Sequence, residues 1–212
     1  MPGMYRRALH FSALAAVAAT AAALAACKPV ASGGVIAGKA SAESCEAALW
    51  PNPEVHLSLT SQTGARITED NFKGRKTLIF FGFTHCPDAC PTAMAKLGAM
   101  EAMLPKNEPA PRVLFVSVDP KRDTPEALAL YATSNGFPKD LTAATGTDAE
   151  LQALTKDLKA AYSVEEDASS AAGYLVNHTA LIYLMDANWK LRTYFLSEMP
   201  PAALAQCVAA IN

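Results

Sequence analysis

The sequence predicts an α/β protein with a central mixed sheet flanked by helices and an N-terminal β-hairpin extension. Three observations carry that prediction. Thr77 to Phe83 and Val113 to Val118 are unbroken apolar runs without a period of two, as strands covered on both faces are. Each run is followed by a segment of helical spacing with its own start and stop residues. A late hairpin and one more helix close the chain, so the element order fits a sheet with helices on both faces.

The first residues lie outside that fold. Arg6 and Arg7 form a basic region, and Phe11 to Leu24 is an Ala-rich apolar stretch too short to span a bilayer. Leu24-Ala25-Ala26-Cys27 resembles the lipobox of bacterial lipoproteins, in which the cysteine becomes the lipidated N-terminus. Residues 1–26 are therefore expected to be a lipoprotein signal peptide, with Cys27 the lipidation site. Residues 27–44, rich in Ala, Gly and Ser, read as a flexible tether. Residues 45–212 are expected to form the domain, held at a membrane in the bacterial periplasm. The formal net charge of the whole chain is −2 and no Lys/Arg run is present, which excludes nucleic acid as a partner.

Val55 to Thr60 alternates apolar and polar residues as a half-buried strand, and Gln62-Thr63-Gly64 turns it into a short partner near Arg66 to Thr68. His56 falls on the polar phase of that strand and reads as a solvated residue. After the first apolar run, Ala93 to Leu104 is helical, with Leu97, Met100 and Leu104 in register and Met94 and Met103 near that face; methionines so spaced read as flexible core filler. Thr124 before Pro125 is a helix start, and the helix is expected to run to about Asn135. Leu141 to Ala144 is a short strand. Thr147-Asp148-Ala149-Glu150 is a capping box ahead of a Leu151, Leu154, Leu158 stripe. Glu165 to Gly173 reads as a mobile acidic loop, Tyr174 to Met185 as a segment holding His178 and a strand, and Lys190 to Leu196 as the return of a hairpin. Pro200 and Pro201 open the last helix.

Chemistry concentrates at Thr84-His85-Cys86-Pro87-Asp88-Ala89-Cys90-Pro91, where the first buried strand hands over to a helix. A separation of four puts both sulfurs on one side of a helical turn, and exposed N–H groups with the helix dipole favour thiolate there. The pair is a reactive or metal-binding dithiol rather than two core cysteines. The chain has five cysteines: Cys27 for lipid, Cys86 with Cys90, and Cys45 with Cys207, which an oxidising compartment permits to pair. An iron–sulfur cluster wants four cysteines and a closed zinc site four ligands. Copper accepts two soft ligands with a third from elsewhere. Of the four histidines, His10 is in the leader, His56 on the hairpin, and His85 points away from its neighbour Cys86. That leaves His178.

Three segments in order resemble the signatures of the Sco/SenC family: Thr84 to Pro91, then Val118-Asp119-Pro120-Lys121-Arg122-Asp123-Thr124-Pro125, then Asn177-His178-Thr179-Ala180-Leu181-Ile182-Tyr183-Leu184. These are thioredoxin-fold copper proteins that help assemble cytochrome c oxidase. The resemblance implies a thioredoxin-like fold and one copper ion, Cu(I) or Cu(II), held by Cys86, Cys90 and His178. It further implies delivery to the binuclear centre of cytochrome c oxidase subunit II or another copper acceptor, after loading by a periplasmic copper donor. Asp119 matches an acidic position that the resemblance expects to support the ligands or face the partner; from the residues alone Asp119 before Pro120 and Asp123 before a helix start read as ordinary turn chemistry, and Asp88 as a carboxylate at a helix N-terminus. The chain is thus expected to be a metallochaperone rather than an enzyme. The alternative is a thiol–disulfide oxidoreductase in which Cys86 and Cys90 are the redox pair acting on the same target.

Overall fold

The computed structural model describes residues 41–47, 49–50, 54–168 and 173–211. The expected signal peptide, Cys27 and most of the tether lie outside them. Among the described residues no helix is long and apolar enough to cross a membrane. A short helix α1 (Ala42–Cys45) is followed by strands β1 (Ser58–Ser61) and β2 (Arg66–Thr68) and a single 3-10 turn. Then come β3 (Thr77–Gly82), α2 (Ala89–Met103), β4 (Arg112–Ser117), α3 (Pro125–Ala132), β5 (Leu141–Thr145) and α4 (Asp148–Asp157). The chain closes with β6 (Tyr162–Glu166), β7 (Tyr174–His178), β8 (Leu181–Met185), β9 (Leu191–Leu196) and α5 (Pro201–Ala210).

The main sheet has the order β2-β1-β5-β4-β3-β8-β9. β3, β4 and β5 run parallel, as they must when α2 and α3 are their crossovers. β1, β8 and β9 are antiparallel to their neighbours, so the sheet is mixed and the N-terminal hairpin extends one edge of it. Every residue of β3 is buried, which is why its sequence shows no alternation. Helices α2 and α5 pack on each other, α3 lies against β5 and α4 against β1. Leu97, Met94 and Met100 of α2 are fully buried in the same core as Phe80 and Phe81, while Met103 is exposed. Each such side chain contributes about 1.5–3 kcal/mol by leaving water.

Local signals set the boundaries. Thr147 Oγ1 accepts from Glu150 N–H at 3.3 Å and Glu150 Oε2 accepts from Thr147 N–H at 2.8 Å, the reciprocal box expected for α4. Thr124 Oγ1 accepts from Ala127 N–H at the start of α3. α3 stops at Ala132, three residues short of the expected end, and α2 starts at Ala89, four residues before the expected Ala93. The early start is allowed because Pro91 sits in the first turn, where its missing N–H has no helical partner to lose. The larger departure is β6. Glu165 and Glu166, read as loop, pair with Leu175 and Tyr174 in a second, two-stranded sheet. β6 is almost wholly exposed, so no apolar period marks it. Cys45 and Cys207 form a disulfide joining α1 to α5.

Candidate metal centre

Strand pairing brings the late histidine to the dithiol. β8 lies antiparallel to β3 with Phe80 opposite Ile182, so the end of β3 stands beside the start of β8. The Cys86 loop leaves the one and His178 precedes the other. Beyond Gly82, Cys86 N–H donates to Phe83 O at 3.2 Å and closes a turn. α2 then begins after Asp88, with Cys90 as its second residue. Cys90 is fully buried and Cys86 half-buried. Cys90 N–H donates to Cys86 Sγ at 3.2 Å, one of the unpaired amides of a helix start serving a sulfur.

A ligand atom from each of Cys86, Cys90 and His178 lies within 4.8 Å of the others, the one such group among the described residues. His178 Nε2 is 3.4 Å from Cys90 Sγ. Its Nδ1 is 3.2 Å from Thr179 O, an acceptor, so Nδ1 carries the proton and Nε2 presents a lone pair. Phe80 and Phe83 meet the ring edge-on at 5.9 and 6.0 Å and fix its plane. The two thiols are electrically unequal. Hydrogen bonding from Cys90 lowers the Cys86 thiol to about 4, opposed by burial and aided by backbone N–H groups. The Cys90 thiol is pushed up, first by its bond to the Cys86 sulfur and then by burial. Cys86 is the thiolate and Cys90 the proton donor. Gly82 makes this approach possible: a Cβ there would stand 2.9 Å from Cys90 Sγ and 2.7 Å from Phe115 Cε2.

Behind the sulfurs, the turn between β4 and α3 holds both halves of the site through two buried carboxylates. Asp119, 2% exposed, accepts from Tyr174 Oη at 2.8 Å and from Arg122 Nε. It thereby ties the turn to the loop end of the β6–β7 hairpin, whose β7 strand ends in His178. Arg122 lies over the Tyr174 ring at 4.3 Å and near Phe83 at 5.7 Å. Asp123, fully buried, accepts from Thr84 N–H at 2.8 Å, Thr84 Oγ1 at 2.6 Å and Ser117 Oγ. It thereby ties the turn to the Cys86 loop. Asp123, in sequence an ordinary turn residue, is thus a buried support of the Cys86 loop, and Tyr174 and Arg122 join Asp119 without any sequence signal of their own. The signal available was a polar residue, Ser117, at the end of an apolar strand, facing an Asp six residues on. His56 is exposed, its ring against Asp157, and takes no part. A cavity of ≈ 350 Å³ opens onto the site, walled by Phe83, His85, Cys86, Arg122, Tyr174 and His178 among others. Two sulfurs and a free imidazole nitrogen, open on one side, suit a soft cation.

Fold and site together define a class: a thioredoxin-like protein whose strand-to-helix dithiol is completed by a histidine from a late strand. The SCO1/SenC family profile matches residues 52–212, and the chain belongs to that family. An SCO2-like protein of Rickettsia felis is 32% identical over 150 residues, covering 71% of this chain and 72% of its own. The copper-bound structure of Arabidopsis thaliana ScoI superposes with a TM-score of 0.67 at 31% identity, over 73% of this chain and 94% of that one. Copper-bound Bradyrhizobium japonicum ScoI gives 0.63 at 33% identity, over 72% and 95%.

Proposed function

We propose that the chain is an exported, lipid-tethered copper carrier that binds one copper ion through Cys86, Cys90 and His178 and hands it to the binuclear copper centre of cytochrome c oxidase subunit II. The observation that carries this reading is the convergence of two sulfurs and a lone-pair imidazole nitrogen within 4.8 Å. Two similar structures, those of Arabidopsis thaliana and Bradyrhizobium japonicum ScoI, are described with copper bound. The acceptor, the tether through Cys27 and the periplasmic setting follow from the sequence resemblance.

The chemistry of transfer comes from the inequality of the thiols. Cys86, half-buried and already thiolate, meets the ion first from the cavity side. Cys90 gives up its proton as it ligates, and His178 Nε2 closes the set. Loading therefore releases a proton, and affinity falls as pH falls. Unloading reverses the order, with an acceptor ligand entering through the cavity. Copper loading of the full chain tests this. Wild type is expected to retain one equivalent with a thiolate charge-transfer band, and His178→Ala to lose the band while keeping its fold. An unchanged band and affinity in His178→Ala would overturn the ligand assignment.

One observation favours a second reading. A partly exposed Cys86 ahead of a buried Cys90 at a helix start, the first thiol lowered and the second raised, is the arrangement of a dithiol that attacks and resolves a disulfide. If reduction of a target disulfide is the activity, turnover survives His178→Ala; if copper carriage is, it has no such turnover to keep.

A further inference from the structure

The relay from Asp123 does not stop at Thr84. The Asp123 carboxylate is acceptor-only, so the Thr84 hydroxyl at 2.6 Å must donate its single proton to Oδ1. Toward His85 Nδ1, 3.0 Å away, the same oxygen can then only accept. His85 Nδ1 therefore carries a hydrogen and Nε2 a lone pair. His178 is set in the same way by Thr179 O. A ring N–H given to an oxygen that is itself held in place is how ligating histidines are fixed. Yet His85 is not in the three-ligand group. Its side chain is 56% exposed, and it walls the same cavity as Cys86 and His178.

We propose that His85 is a relay ligand at the mouth of the site, whose Nε2 bonds copper while the ion passes between the Cys86–Cys90–His178 set and a partner. The proposal rests on the copper-carrier reading. A three-ligand soft site exchanges most easily when a fourth donor adds before one of the three leaves. His85 supplies that donor from the chain itself, beside Cys86, the partly exposed one of the two cysteines, on the wall of the same cavity. The Cu–N bond to His85 forms, the Cu–S bond to Cys90 breaks, and the freed Cys90 sulfur takes back from solvent the proton it gave on loading. No electron moves. Asp123 and Thr84 act through His85 as positioning residues, holding its ring in the ligating tautomer.

The test is the rate of Cu(I) removal from the loaded full chain by excess bathocuproine disulfonate, with the charge-transfer band and the equilibrium affinity measured on the same samples. His85→Ala is expected to leave band and affinity unchanged and to slow removal on the order of tenfold. Millimolar imidazole should restore the rate. His85→Asn, which keeps an N–H for Thr84 but has no imidazole, should be as slow as His85→Ala. Removal at the wild-type rate in His85→Ala would overturn the proposal. So would a wild-type rate in His85→Asn alone, or slowing that imidazole does not relieve, since either assigns His85 a structural role. A wild-type chain that retained no copper would remove the carrier reading, and this inference with it.

Discussion

Gly82→Ala asks whether the dithiol depends on the backbone passing unusually close to a sulfur. The added Cβ would stand 2.9 Å from Cys90 Sγ, 2.7 Å from Phe115 Cε2 and 3.0 Å from Phe115 Cζ, where ordinary contact begins at 3.4 Å. Cys90 is fully buried at the start of α2, and Phe115 is fully buried in the centre of the sheet. Neither is the free end of a flexible side chain. To reach ordinary contact the sulfur has to retreat by about 0.5 Å, whereas ligand distances in a metal site are set to about 0.2 Å. The overpacking itself costs about 1–3 kcal/mol of stability. The expected result is a folded chain with a lowered melting temperature and a copper affinity that falls more than stability alone explains. Chelator competition and thermal melting measure the two losses separately. A variant with wild-type affinity and wild-type melting would refute the claim that glycine at this point positions Cys90.

Replacing both Cys45 and Cys207 with Ser opens a covalent loop with a sequence separation of 162. The chain-entropy relation puts the loss at up to about 5 kcal/mol, read as a drop in denaturant midpoint against the oxidised wild type with the copper band unchanged. Alkylation of Cys86 should titrate near pH 4 rather than near its ordinary 9.0. Because that thiol is lowered, its contribution to folding is present above the ordinary value and is lost as pH falls through about 4; a midpoint near 9 in an iodoacetamide rate profile would contradict the assignment of Cys86 as the thiolate. Asp123→Asn places amide hydrogens against the donors of Thr84 or Ser117, and leaving a buried donor unpaired costs about 1–3 kcal/mol. Denaturant unfolding should register that loss together with weaker copper retention.

How much of this could be read in the sequence depends on whether a residue's role is local. β3 and β4 were legible because strands buried on both faces must be apolar throughout, and α4 because Thr147 and Glu150 advertise its start. Cys86 and Cys90 were legible because reactive sulfurs need the helix entrance that their spacing and Pro91 mark. His178 could be picked out only by elimination and by its flanking residues, since its nearness to the sulfurs is created by the antiparallel pairing of β3 with β8. Asp123 was misjudged for a related reason. In sequence it is one polar residue in a Pro-bounded turn, and its burial depends on Thr84 and Ser117 arriving from two other elements. β6 was missed because a strand of exposed residues carries no apolar signal, although its partner β7 ends in His178. The Cys45–Cys207 pairing was suggested by the cysteine count; the contact between α1 and α5 that places the two together was not in it.

X-ray absorption at the copper edge of the loaded full chain bears most directly on the central claim. Two sulfur neighbours and one imidazole nitrogen are expected, with the nitrogen scattering lost in His178→Ala and one sulfur lost in each single Cys86 or Cys90 variant. Copper held by a single sulfur in the wild type, or imidazole scattering that persists without His178, would contradict it.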